Sequence, residues 1–124
     1  MPDYIHLPDA EFDIMQIIWS HPTPISSMQI TALTAPEKKW KPQTVLTLLT
    51  RLTQRGFLAS EKQGKERFYT PLVSQEEYLN RETGQFVRRF HKNSLTGLMN
   101  ALYADKSPKE EELDALETWL RERK

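Results

Sequence analysis

A chain of 124 residues with 17 basic and 17 acidic side chains, four glycines and no cysteine has the length of one domain or two small ones. The absence of cysteine excludes disulfides and thiolate metal sites. High charge with little glycine fits a helix-rich globular protein better than a disordered one. The segment Met1 to Asp13 has neither the basic nor the apolar region of a leader. The longest apolar run, Ile14 to Trp19, falls far short of the roughly 20 residues of a membrane span. No membrane insertion is therefore expected, and the cytoplasm is the expected compartment.

Net charge is zero, but the charge is unevenly placed. Between Lys38 and Arg67 stand Lys38, Lys39, Lys41, Arg51, Arg55, Lys62, Lys65 and Arg67, against only Glu61 and Glu66. A local basic surface matters more for nucleic acid than the whole-chain sum.

The first helix is expected from Pro8 or Asp9 to about Ser20. Asp9, Glu11 and Asp13 suit its positive end, and Ala10, Ile14, Ile17 and Ile18 form its apolar face. His21-Pro22-Thr23-Pro24 breaks it. Ser26 with Gln29 is a capping-box pattern that opens a second, short helix, with Ile25 and Ile30 placed as a hydrophobic staple, and Ala35-Pro36 ends it. Pro42 starts a third helix and Gly56 ends it. Inside it Val45, Leu48, Leu49 and Leu52 follow the i, i+3, i+4, i+7 pattern. The opposite face carries Gln43, Thr47, Thr50 and Gln54, flanked by Thr44 and Arg51 on one side and Leu46 on the other. Threonine is a poor helix former, so a threonine-rich outer stripe points to contact with something.

Phe57 to Glu61 and Glu66 to Leu72 are strand-like around Gly64, which predicts a β-hairpin with a basic tip. Beyond Pro71 the pattern is helical. Ser74 with Glu77 predicts a cap for a helix reaching about Asn93, and Leu95, Leu98, Met99, Leu102 and Tyr103 mark a second helix. Ser107-Pro108-Lys109-Glu110 predicts a further cap, ahead of a stripe of Leu113, Leu116, Trp119 and Leu120. The expected fold is mostly α with a small β-hairpin wing: a winged helix-turn-helix domain over 1–73 and a helical dimerisation domain over 74–124.

No catalytic set, P-loop or phosphate cradle is present, so the chain is not expected to be an enzyme and no cofactor is expected. His6, His21 and His91 lack an i, i+4 ligand partner, so no metal site is expected. Glu110 to Glu112 fits the first turn of a helix. Trp19, Trp40 and Trp119 read as core anchors more readily than as base-stacking platforms.

Three helices and a hairpin, with the third helix and hairpin tip basic, form the winged-helix version of the helix-turn-helix, whose last helix enters the major groove. A winged helix that binds protein or RNA stays open on pattern alone. Its mark would be apolar residues on the outer face of the third helix, where only Leu46 fits. The segment Trp40 to Gly56 then narrows the choice. With Ala10-Glu11-Phe12-Asp13-Ile14-Met15, Ile17-Ile18-Trp19, and Tyr69 to Ser74 followed by Glu76-Glu77-Tyr78, it resembles the penicillinase-repressor (β-lactamase repressor) family over nearly the whole chain.

That resemblance implies a repressor that binds a palindromic operator in duplex DNA as a homodimer. Helix 42–55 would lie in the major groove and wing 58–71 on the backbone. Gln43, Leu46 and Thr47 would face base edges, and Lys41, Thr44, Arg51, Lys62, Lys65 and Arg67 the phosphates. Phe86, Phe90, Leu98, Leu102, Leu116 and Trp119 would pair the subunits. The resemblance further implies release by a membrane sensor protease system, with a cut between Asn100 and Ala101. The chain departs from the antibiotic-resistance repressors at Gln43 and Leu46, where those carry Lys and Arg, and at Ala101, where they carry an aromatic. It also lacks the cysteine cluster of the family's copper-responsive branch.

Overall fold

A computed structural model describes residues 5–124. Met1 to Tyr4, the start of the segment read above as lacking a leader, lie outside the described residues. The elements run α1 (Asp9–Trp19), β1 (Ile25–Ser26), α2 (Ser27–Thr34), α3 (Pro42–Gln54), β2 (Leu58–Gln63), β3 (Glu66–Pro71), α4 (Gln75–His91), α5 (Leu95–Asp105) and α6 (Glu110–Arg123). They divide into two compact units, Met1–Glu82 and Thr83–Lys124. No helix among the described residues is long and apolar enough to cross a membrane.

The first unit is a winged helix. Its core takes Ile14, Met15 and Ile18 from α1, Ile30 from α2 and Val45, Leu48, Leu49 and Leu52 from α3, all buried. The capping box at the start of α2 is complete: the Ser26 N–H donates to Gln29 Oε1 at 2.9 Å and the Gln29 N–H donates to Ser26 Oγ at 3.2 Å. Ile25 and Ile30 are both buried in the core, as a staple requires.

The end of α3 is a Schellman turn. Gly56 sits at φ 85°, its N–H donates to Thr53 O, and the Phe57 N–H reaches back to Leu52 O at 3.0 Å. Leu52 and Phe57, the two residues whose contact accompanies that turn, are fully buried. Gly56 thus closes the helix and aims the chain into the wing.

The hairpin pairs Gln63 with Glu66 across Gly64 and Lys65. Only Gly64 has positive φ, at 67°, as a type II′ turn requires. A third strand, β1, was not legible in sequence. It pairs with β3 through Ile25↔Tyr69 and Ser26↔Phe68, giving the sheet order β1-β3-β2. At two residues it is too short for an alternating pattern.

Two long-range ties complete the unit. Tyr78, early in α4, is buried against Phe12, Trp19 and Phe57, with ring centroids 5.6–5.9 Å away. Its hydroxyl accepts the Leu7 N–H at 2.9 Å, and the Trp19 indole donates to Val73 O at 2.9 Å. Burial pushes the Tyr78 phenol above its usual pKa, which the Leu7 hydrogen bond opposes. The first turns of α4 therefore belong to the core of the winged unit. The second tie is an ion pair: Arg55, the C-cap of α3, donates from Nε to Glu11 Oε1 at 2.7 Å and from Nη2 to Oε2 at 3.4 Å.

In the second unit, Ser94 caps α5 by accepting the Gly97 N–H at 2.9 Å. The cap predicted at Ser107 does not form. The N-cap of α6 is Lys109, without a side-chain cap, and the first turn carries Glu110, Glu111 and Glu112, whose charges complement the helix dipole. Ser74 does cap α4, accepting the Glu77 N–H at 3.0 Å.

The ion pair yields an asymmetric prediction. The Glu11 side chain is 2% exposed and that of Arg55 36% exposed. Arg55→Ala strands a buried carboxylate and is expected to cost about 3 kcal/mol. Glu11→Gln leaves an arginine free to turn to water and is expected to cost about 1 kcal/mol. Urea denaturation of the two variants checks the order; an equal or reversed order contradicts the assignment.

Candidate nucleic-acid interface

The inward face of α3 fixes what the outward face presents. Val45, Leu48, Leu49 and Leu52 contribute about 1.5–3 kcal/mol each by burial, so the helix has one stable rotation. That rotation leaves Gln43, Thr44, Leu46, Thr47, Thr50, Arg51 and Gln54 exposed.

The threonine hydroxyls are turned back on the helix. Thr47 Oγ1 donates to Gln43 O at 3.0 Å, and Thr50 Oγ1 to Leu46 O at 2.9 Å. Each hydroxyl hydrogen is thereby used within the helix, leaving an oxygen that can accept and a methyl that can pack. With Leu46 beside them, the stripe offers apolar contact at its edge and, at its two ends, the amides of Gln43 and Gln54, each able to donate and accept at once.

At the N-terminus of α3 no side chain caps the helix, and Lys41 is the N-cap, with Pro42 following. The first N–H groups have no partner within the helix, and the positive end of the dipole points outward beside an ammonium. This is a ready anion site.

Two of the basic residues counted in the sequence are not available. Arg55 is engaged by Glu11, and Lys38 Nζ lies 2.9 Å from Asp13 Oδ2. Among the described residues, Lys39, Lys41, Arg51, Lys62, Lys65 and Arg67 have no acidic side chain within ion-pair distance. All six are exposed.

The wing concentrates three of these charges. Lys62 and Arg67 stand directly opposite each other in the β2–β3 register, an arrangement that is repulsive unless an anion lies over it. Arg67 Nη1 also donates to Ser60 Oγ at 3.1 Å. Lys65 occupies the turn itself.

The residues expected to pair subunits lie in the second unit, and none of them is buried. Phe86, Phe90, Leu102, Leu116 and Trp119 are exposed, Phe90 at 61%, while Leu98 is half-buried. The Phe86 and Phe90 rings meet at a tilt of 43° with centroids 5.0 Å apart, and Arg123 lies over the Trp119 ring at 3.9 Å. Trp119 is therefore not a core anchor within one chain, whereas Trp19 and Trp40 pack against the core of the first unit. Asn100 and Ala101 are exposed in the middle of α5. Among the described residues no cluster of three metal-ligating side chains occurs.

The penicillinase repressor family model matches residues 7–122. The penicillinase repressor of Bacillus licheniformis is 28% identical over 116 residues, covering 94% of this chain and 90% of that one. The methicillin resistance regulatory protein MecI of Staphylococcus aureus (strain N315) is 27% identical over 111 residues, covering 90% and 89%. Among solved structures, the DNA-binding domain of the repressor BlaI is similar with a TM-score of 0.55 at 31% identity, over 63% of this chain and 94% of that one. The monomeric form of Bacillus licheniformis BlaI in complex with the blaP half-operator is similar with a TM-score of 0.52 at 31% identity and the same coverage. A mostly helical winged fold, an α3 with an exposed polar face, and a family match over residues 7–122 place this chain in the penicillinase repressor family.

Proposed function

We propose that the chain is a transcriptional repressor that binds a palindromic operator in duplex DNA as a homodimer in the cytoplasm. The observation that carries this reading is the outward face of α3, held at one rotation and bordered on both sides by cations that no acidic side chain neutralises. The similarity to a BlaI domain solved on a half-operator supports it.

In this reading α3 lies in the major groove. Gln43 pairs with an adenine edge, while Leu46 and the methyl of Thr47 pack on thymine methyls. Lys41 and Thr44 sit with the α3 N-terminus on one phosphate, and Arg51 on the backbone further along. Lys62, Lys65 and Arg67 carry the wing onto the neighbouring backbone. The anion there relieves the Lys62–Arg67 repulsion. With Gln43 and Leu46 facing the groove, the positions they read are A·T pairs.

The partner of the second unit is a second copy. No residue of α5 or α6 is buried, nor is any residue of α4 beyond Tyr78. The apolar stripes of α5, α6 and the later turns of α4, with no buried residue among them, are suited to cover by a second chain. Phe86, Phe90, Leu98, Leu102, Leu116 and Trp119 form that seam. Release follows from its loss, through a sensor protease that cuts Asn100–Ala101. The bond lies in the middle of α5, so cutting requires local unwinding of that helix and splits one apolar stripe from the next.

Base and phosphate contacts separate by measurement. Lys65→Ala with Arg67→Ala is expected to flatten log affinity against log salt by about 1.8 for the pair of lost phosphates, with folding stability unchanged. Gln43→Ala is expected to cost about 1–3 kcal/mol at one operator position and little at others. An unchanged salt slope in the first, or uniform weakening across sequences in the second, contradicts the assignment.

The dimer seam is tested by where the chain is cut. A fragment ending at Glu82 retains Tyr78 and is expected to fold as a monomer with much weaker operator binding, since one half-site lacks the avidity of two. A fragment ending at Val73 loses Tyr78 and is expected to be unfolded, because emptying an aromatic core site alone costs about 3–5 kcal/mol. Sedimentation of the full chain as a monomer at micromolar concentration would contradict the seam.

Intact-mass analysis of the protein from cells treated with a cell-wall antibiotic is expected to show two fragments meeting at Asn100–Ala101. A single full-length species during active derepression rejects the cut.

A further inference from the structure

Away from α3 and the wing, one concavity is lined in part by an ammonium of the protein itself. A cleft of about 340 Å³ opens between the outer face of α1 and the segment joining α2 to α3. Asp13 and Ile17 line one wall, and Leu33, Glu37 and Trp40 the other. Lys38 also lines it. Its Nζ lies 2.9 Å from Asp13 Oδ2 and 5.8 Å from the centroid of the Trp40 ring.

An ammonium is thus held by a carboxylate and an aromatic face together, the pairing that recognises organic cations. The hydrogen bond and charge of Asp13 raise the Lys38 pKa, with smaller help from Glu37 and Asp9. Taken without Lys38, the cleft is negative. Three of its other polar groups are already engaged: Ser20 Oγ, His21 Nδ1 and Thr34 Oγ1 are bonded to the backbone carbonyls of Gln16, Ile17 and Thr31, while the Gln16 and Glu37 side chains stand exposed in the wall. The apolar share of the wall, Ile17, Leu33 and the Trp40 face, suits a ligand body larger than a bare ion. The volume matches the small end of ligand pockets. Lys38 and Asp13 are 43% and 29% exposed, and a pair so open to water is weak and exchangeable.

We propose that this cleft binds a small organic ammonium, a primary amine on an apolar or aromatic body, which takes the place of Lys38 between Asp13 and Trp40. Binding frees Lys38 from α1. The segment that Lys38 tethers passes through Lys39, held at a left-handed φ of 55°, and enters α3 at Pro42. The site therefore lies at the foot of the helix that presents Gln43 and Thr47.

Calorimetric titration of the full chain with phenethylammonium chloride tests this, with phenethyl alcohol as the neutral counterpart. Lys38→Ala removes the internal competitor and is expected to bind the amine about tenfold tighter than the natural chain. Adding Asp13→Asn is expected to abolish that gain. Lys38→Met, which keeps the apolar stem of the side chain, is expected to behave as Lys38→Ala does and guards against an effect of lost packing. Binding no tighter in either Lys38 variant than in the natural chain, or alcohol binding equal to the amine, overturns the proposal. No DNA is present in this titration, so its failure leaves the operator reading untouched.

Discussion

A carboxylate buried in an apolar core is tolerated only where a cation meets it, and here that cation stands at the last turn of the helix on which everything else depends. Glu11 reaches its partner across 44 positions of sequence, and Arg55 binds it with two nitrogens. Such a pair adds little net stability, because desolvation offsets the attraction. It does fix geometry. With the four buried aliphatic residues of α3 it sets the rotation of the helix about its axis, and with Gly56 it sets where the chain leaves for the wing. The two surfaces that carry positive charge, the start of α3 and the hairpin, are thereby held in one frame.

The two units answer opposite physical demands. The first satisfies itself: its core side chains are buried, the starts of α2 and α4 are capped and the end of α3 is closed, and the outward face of α3 is mostly polar. The second has helices of good local design, with Ser94 capping α5 and acid in the first turn of α6, yet contains no buried residue of its own. Local propensity makes those helices and only another surface can hold them together. If the second unit pairs two copies as proposed, a repressor benefits from this division. Reading sequence needs a rigid face, while letting go of DNA needs a joint that can be lost without unfolding the reader.

Much of this was legible in the sequence, and the reasons are local. Pro42 and Gly56 bracket α3, Ser26 with Gln29 opens α2, and Gly64 turns the hairpin, since each of these signals acts within a few residues of itself. What stayed hidden was long-range. Glu11 reads as a first-turn acid suiting a helix dipole, and nothing beside it announces Arg55. Lys38 and Arg55 read as part of a basic surface, until Asp13 and Glu11 are found against them. Tyr78 lies on a stripe with Leu79, Phe86 and Phe90 that reads as one dimerisation helix, but its ring closes the core of the first unit. Strand β1 has no periodicity to display at two residues. That Gln43, Leu46 and Thr47 stand on the outward face of α3 was legible because the apolar period of that helix dictates its complement.

In the proposed reading the outward face of α3 and the tip of the wing are what touch duplex DNA. The most direct measurement is the change in backbone amide resonances of the isotopically labelled full chain as duplex from the region adjoining its own gene is added. The account predicts shifts concentrated at residues 41–51 and 62–67, with the buried residues of α1 nearly still. Shifts centred on α5 and α6, or none at low salt, would contradict it.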